Sequence, residues 1–235
     1  MARSALWREI AETLEVEIAR GHAAAGARLP TEAELAARFG VNRHTVRHAL
    51  ADLAARGVVH ARRGAGVFVT APPVDYPLGR RVRFHQAVEA QGQVPSREIT
   101  RLETRPADAV EAGLLGIAPG QLLHVVEGVS SADGQPLAVF RSLFPGWLEG
   151  LPDALRAGAS ITAALAACGV SDYTRLSTRL TAKVAKPILA LRLRVSEGAP
   201  ILRSEAVNVD GAGRAVECGT TWFAGDRVTL TVGAG

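Results

Sequence analysis

Near the start of the chain, apolar residues recur every fourth position: Leu6, Ile10, Leu14 and Ile18, with Trp7 and Ala11 beside them. That spacing predicts a helix over residues 4–21, ended by Gly21. After a loop punctuated by Gly26 and Pro30, Thr31 opens Thr-Glu-Ala-Glu, the signature of a capping box in which Glu34 reaches back. Leu35, Ala36 and Phe39 give this second helix its apolar face. A tight turn at Gly40 and Val41 leads to NRHTVRHALADLAARG, residues 42–57, around which the rest is organised. Val46, Ala49, Leu50 and Leu53 fall at i, i+3, i+4 and i+7, one helical face, and Arg43, His44, Arg47 and His48 take the opposite side. Asn42 is placed to cap its start and Gly57 to close its end. Two short helices joined by a Gly-containing turn make a helix-turn-helix. Val58-Val59, a basic Arg62-Arg63-Gly64-Ala65-Gly66 turn and Val67–Val69 then read as a β-hairpin wing.

Beyond residue 71 the texture changes. APPVDYPL is proline-rich, and prolines stiffen a connection. A helix ending near Gly92 follows. Strands are expected at Ile99–Thr104, then at Gln121–Ser130 and Pro136–Phe144 joined across Asp133-Gly134. A short helix falls at Pro106–Leu115 and another at Ser160–Cys168. Tyr173–Val184 alternates, with Arg175, Ser177, Arg179, Thr181 and Lys183 on one face. A second hairpin turns at Asp210-Gly211, and Val228–Val232 is the last strand. LGIAPGQLL and RVSEGAPIL, each leading into a hairpin, form a weak internal repeat. These elements predict an α+β chain: DNA-binding domain 1–71, linker 72–79, and domain 80–235, an antiparallel sheet with helices on one side.

Composition adds limits. With 235 residues, 48% of them hydrophobic, there is room for real cores. The formal charge is only +4, but residues 43–63 hold five arginines against the single acid Asp52, the local asymmetry of a nucleic-acid binder. Cys168 and Cys218 are too few and too far apart for a disulfide framework or a zinc cluster. The acid-bearing N-terminus is no signal peptide, and no apolar run is long enough for a membrane. A cytoplasmic protein without metal or cofactor is expected. Catalysis has no support: Cys218 has no assignable base, and His85 and His124 are isolated.

LPTEAELAARFGVNRHTVRHALADLAARGVVHARRGAGVFV resembles the winged helix-turn-helix of GntR-family bacterial repressors. Ala33 stands where a basic residue usually follows the Ser/Thr-Glu pair, and Val67 where Thr is common. The resemblance implies a homodimer on a double-stranded, pseudo-palindromic operator. It places Thr31, Arg43, His44, Thr45 and Arg47, with Arg62, Arg63, Gly64 and Gly66 of the wing, at bases or phosphates. The second domain resembles the effector-binding (UTRA) domain of the HutC subfamily, with its chorismate-lyase-like fold. DYPL followed by Arg83-Phe84-His85-Gln86, then Gln91-Gly92 and Pro95-Ser96, is similar to regulators of phosphonate metabolism within it. That similarity implies a small anionic effector, for which Arg83, Phe84, Arg141, Ser160, Arg175, Arg179 and Glu217 are the candidate contacts. Gly128 and Ser130 occupy positions where the subfamily often has two arginines. Each candidate has a plainer reading: a solvated outer face for the arginine strand, a simple helix cap for Ser160, a carboxylate partner for Arg141, a sheet brace for Glu217.

Overall fold

The structure, a computed structural model, describes residues 3–62, 66–70, 73–79 and 84–232, excepting the side chains of residues 3–5, 62 and 85. The predicted contacts Arg63, Gly64 and Arg83 lie outside the described residues, as does the side chain of Arg62. The chain divides into two compact units, Met1–Pro72 and Pro73–Gly235.

In the first unit, α1 (Arg3–Ala19), α2 (Glu32–Phe39) and α3 (Arg43–Ala55) precede a hairpin of β1 (Val59–Arg62) and β2 (Gly66–Val69). The periodic apolar positions explain its core. Ile10 and Leu14 of α1 meet Leu35 of α2, Val46, Leu50 and Leu53 of α3, and Val59 and Val69 of the hairpin. Leu35, Val46 and Leu53 are fully buried. Local chemistry fixes the helix starts. Thr31 Oγ1 accepts from the Glu34 backbone N–H, and Glu34 Oε2 accepts from the Thr31 N–H at 2.7 Å, a complete capping box. Asn42 Oδ1 accepts from the Thr45 N–H at 2.9 Å, and Gly57 follows α3 with φ of +74°.

The second unit opens with β3 (Val74–Pro77), which pairs in parallel with β10 (Val228–Thr231). The stretch expected to be only a linker therefore contributes a strand. Val74 and Tyr76 alternate inward there, and both are buried. Next come α4 (Phe84–Glu89), β4 (Pro95–Pro106), α5 (Ala109–Leu115), β5 (Leu122–Ala132) and β6 (Gln135–Pro145). They are followed by α6 (Leu151–Arg156), α7 (Ile161–Ala167), β7 (Tyr173–Val184), α8 (Pro187–Leu193), β8 (Pro200–Asp210) and β9 (Ala215–Ala224). Among the described residues the main sheet runs β4-β5-β6-β9-β8-β7, with antiparallel neighbours.

Helices cover both faces of this sheet, not one. Phe140 and Phe144 of β6 pack with Leu151 and Leu155 of α6 and Ile161 and Leu165 of α7. Leu143, one residue out of phase, joins Ala112 and Leu115 of α5, and Val139 joins Ala190 and Leu193 of α8. The continuous apolar run Leu137–Phe140 belongs to a strand covered on both sides, where side chains of both parities need burial.

Candidate functional site: a cationic helix face and a polar cavity

On α3, Arg43, His44 and Arg47 are exposed, opposite the buried Val46–Leu53 stripe. Arg47 is not free: its Nε and Nη2 donate to Glu32 Oε1 and Oε2 at 3.0 and 2.7 Å. Thr45 Oγ1 donates to Asn42 Oδ1 at 3.0 Å, so its hydroxyl is shared with the cap. Thr31 Oγ1 donates likewise to Glu34 Oε2 at 2.8 Å. His48 stacks on Trp7, with ring centroids 4.3 Å apart. In the wing, Gly66 has φ of +114°, and a Cβ there would meet Arg28 Nε at 2.8 Å. Arg28, in the loop before α2, is thus a cation against the wing. The sequence offered no sign of it, because its bridge to Phe68 depends on the folded hairpin.

The second unit holds a cavity of about 280 Å³ on the α6–α7 face of the sheet, with Phe84, Arg97, Ser160, Arg175 and Glu217 in its wall. Four of the expected effector contacts therefore come together: Phe84, Ser160, Arg175 and Glu217. Arg141 and Arg179 do not join them, and strand parity gives the reason. Arg141 follows Phe140, so it emerges on the opposite face. There its Nη2 donates to Glu111 Oε1 at 3.1 Å, and its Nε lies 3.6 Å from Glu127 Oε1. For Arg179 the cause is a bulge. Arg175 pairs with Asn208 but Ser177 pairs with Val207, which leaves Leu176 as an extra residue. One inserted residue exchanges the two faces of the strand beyond it. Arg175 keeps the cavity face, and Arg179, opposite Glu205, is turned away.

The arginine that sequence reading missed is Arg97. Its Cζ lies 4.8 Å over the Phe140 ring and 5.8 Å over Phe84, and its Nε donates to Ser130 Oγ at 3.4 Å. Burial pushes its guanidinium below the ordinary arginine value, opposed by the Glu217 carboxylate. Gly128 makes the stack possible. A Cβ there would sit 2.2 Å from the Glu98 carbonyl oxygen and 2.8 Å from the Phe140 ring, so a bare backbone lets that ring lie against the strand. Arg175 donates through Nε to Asn208 Oδ1 at 3.3 Å. Among the described residues neither Arg97 nor Arg175 pairs with a carboxylate.

Ser160 Oγ accepts from the Ala163 N–H at 3.2 Å, capping a helix of only seven residues. A helix that short adds little field, so attraction for an anion rests on the guanidiniums. Glu217 is held by neutral donors: Ser142 Oγ at 2.7 Å on Oε1 and Asn208 Nδ2 at 2.8 Å on Oε2. No helix among the described residues is long and apolar enough to cross a membrane, and no group of three or more His, Cys, Asp or Glu among them is arranged to hold a metal.

A winged helix-turn-helix in one unit defines a class, the DNA-binding regulator, and the second unit adds a polar cavity lined by Arg97, Arg175 and Glu217. Comparison with known proteins supplies the family. Residues 6–69 match the bacterial regulatory proteins of the gntR family, and residues 90–229 match the UTRA domain. An uncharacterised HTH-type transcriptional regulator of Rhizobium meliloti, RB1450, is 40% identical over 97% of this chain and 94% of its own length. The probable transcriptional regulator PhnF of Escherichia coli is 33% identical over 96% of this chain and 94% of its own. The crystal structure of PhnF from Mycobacterium smegmatis matches with a TM-score of 0.65 and 27% identity, covering 100% of this chain and 99% of that one. The chain belongs to the GntR family, in its UTRA-bearing HutC/PhnF-type branch, and is a transcriptional regulator, not an enzyme.

Proposed function

We propose that this regulator is a ligand-responsive repressor. It acts in the cytoplasm as a homodimer on a pseudo-palindromic operator and is released by a small anionic metabolite, a phosphonate or a phosphorylated compound. In this reading residues 1–71 carry the DNA contacts. Arg43, His44, Thr45 and Arg47 approach the major groove, Thr31 lies near the backbone, and Arg62–Gly66 of the wing reaches the minor groove or phosphates. Residues 80–235 carry the effector, held by Phe84, Arg97, Ser160, Arg175 and Glu217, with Arg83 as a further contact expected from the sequence. Effector binding lowers operator affinity because the ligand favours a state of the protein that holds DNA less well.

One observation carries the sensory half of the reading: Arg97 and Arg175 stand in a cavity wall without carboxylate partners among the described residues. Buried or partly buried arginines are normally paired, and an anionic ligand supplies the missing charge. The relatives' names add weight, since the NagR of Bacillus subtilis and the PhnF of M. smegmatis are described as repressors. The test is a gel shift on DNA from beside the gene. Specific retention should be abolished by Arg43→Ala with Arg47→Ala and reversed by an anionic metabolite in the wild type. Retention unaffected by both substitutions sinks the DNA half, and retention unaffected by every anion tried sinks the sensory half.

A further inference from the structure

The cavity is not uniformly cationic. Beneath it lies a polar recess of about 40 Å³ that shares Tyr76, Ser142, Arg175, Asn208, Glu217 and Thr221 with the cavity and is closed by Ser204 and Phe223. Its volume is close to the share of one water molecule, roughly 30 Å³. Arg97 is absent from this recess; besides the cavity it lines a neighbouring hollow of about 270 Å³ together with Ser160 and Ile161. Arg175 and Glu217 line both the cavity and the recess, whereas Arg97 lines the cavity and the hollow but not the recess, so the site's carboxylate stands at the end away from the hollow.

Glu217 is the anomaly. A carboxylate in the wall of an anion site repels the ligand unless a cation meets it. No arginine, lysine or histidine forms an ion pair with it among the described residues. Its two oxygens are instead each fixed by one neutral donor, Ser142 and Asn208, both buried. Asn208 is itself oriented by Arg175. The carboxylate is thus fixed by neutral donors and forms no ion pair among the described residues. Ser204, which is buried, and Thr221 offer hydroxyl acceptors in the same recess. An ammonium has three donors and no acceptor, and it matches a carboxylate flanked by two hydroxyls.

We infer that the effector is a zwitterion, a phosphonate or phosphate head bound by Arg97 and Arg175 with a primary ammonium on a short chain that enters the recess and pairs with Glu217. The inference rests on the effector reading given above. Charge agrees with it: two guanidiniums and one carboxylate leave the site at +1, which a dianionic head carrying one ammonium neutralises. Anions without the ammonium leave Glu217 unpaired against them. Neutral or cationic amines leave both arginines unpaired.

The experiment is calorimetric titration of the full chain with matched ligand pairs. 2-Aminoethylphosphonate is compared with propylphosphonate, in which a methyl replaces the ammonium, and O-phosphoethanolamine with propyl phosphate. Inorganic phosphate serves as the bare head. At least one ammonium-bearing member is expected to bind about tenfold or more tightly than its partner, the effect of one charge-assisted contact. Glu217→Gln should bring that ratio to about one while propylphosphonate or propyl phosphate still binds. Equal binding within both pairs by the wild type overturns the zwitterion and leaves the anionic effector intact. A preference that survives in Glu217→Gln overturns the role of Glu217. Failure of all five compounds to bind overturns the zwitterion together with the phosphorus-anion reading beneath it. The wild-type pair comparison stands even if the variant does not fold.

Discussion

Arg47 and Glu32 form a two-pronged ion pair across the helix-turn-helix, Nε to Oε1 at 3.0 Å and Nη2 to Oε2 at 2.7 Å. The arginine side chain is 61% exposed, so the pair stands on the surface that the proposed function turns toward DNA. Hydrogen bonding from Arg47 holds the Glu32 carboxyl below the usual carboxylate range. Two consequences follow for binding. The guanidinium is held in one orientation with Nη1 remaining for a partner, and a negative charge sits where phosphates would otherwise be welcome. Glu32→Ala is expected to tighten binding to random duplex DNA and to narrow the ratio between operator and random affinities. Fluorescence anisotropy at two salt concentrations measures both. An unchanged ratio rejects a positioning role for Glu32.

Asn42 is a cap whose loss is local. Its Oδ1 accepts from the Thr45 N–H and from the Thr45 hydroxyl. Asn42→Ala removes both, at a cost of about 1 kcal/mol typical of an N-cap. In a unit of this size that corresponds to roughly 4–8 °C in Tm. Scanning calorimetry should show the loss in the transition of the first unit and none in the second. A shift confined to the second unit contradicts the assignment.

Much of this was legible because it is local. Capping residues, the i, i+3, i+4, i+7 stripe of α3 and the Asp-Gly turn between β5 and β6 act within a few residues, and the structure has each of them. The cavity depended on what is not local. Whether Arg179 faces it was decided by a bulge at Leu176, and whether Arg141 faces it by phase with Phe140. Arg97 reads as one more charge in a strand. Its significance comes from Gly128 and Phe140, residues 31 and 43 positions further on, that meet it only through sheet pairing. The helices α6 and α8 carry short apolar runs without caps of the usual kind, as neither N-cap residue makes a side-chain hydrogen bond.

Gly128→Ala tests that arrangement. The added methyl meets a backbone carbonyl that has little room to move, and overpacking of this kind costs typically 1–3 kcal/mol. The second unit should lose stability, and the Phe140 ring and Arg97 should shift with it. Loss of anion-induced stabilisation in a thermal-shift assay would accompany the lower Tm. Wild-type stability in this variant contradicts the close approach.

The opposite face of the sheet predicts a pH response. Hydrogen bonding from Arg105 holds the buried Glu111 carboxyl down to about 2, aided by the Asp108 backbone N–H and the charge of Arg141. A carboxylate depressed in the folded state contributes stability that is fully present above its unfolded value of about 4.3. That contribution is lost as pH falls from there toward 2. Glu111→Gln, already uncharged, should lower stability at neutral pH and flatten the pH dependence between about 4.5 and 2. Urea unfolding at a series of pH values gives both slopes, and parallel curves for the two proteins reject the assignment.

Among the described residues strand β7 ends the main sheet, so one of its edges has no strand partner there. Leu176, Leu180 and Val184 along it are 68%, 46% and 62% exposed, an unusual concentration of aliphatic surface for a strand edge. A dimer is what two operator half-sites require, and an antiparallel strand edge is self-complementary about a two-fold axis. A second copy of this chain is therefore the expected occupant of the β7 edge. Leu176→Asp with Leu180→Asp should convert the protein to a monomer by light scattering, keep its circular dichroism, and weaken operator binding far more than random-DNA binding. A dimer that survives both aspartates places the interface elsewhere in the chain, and a wild-type monomer at micromolar concentration rejects the homodimer itself.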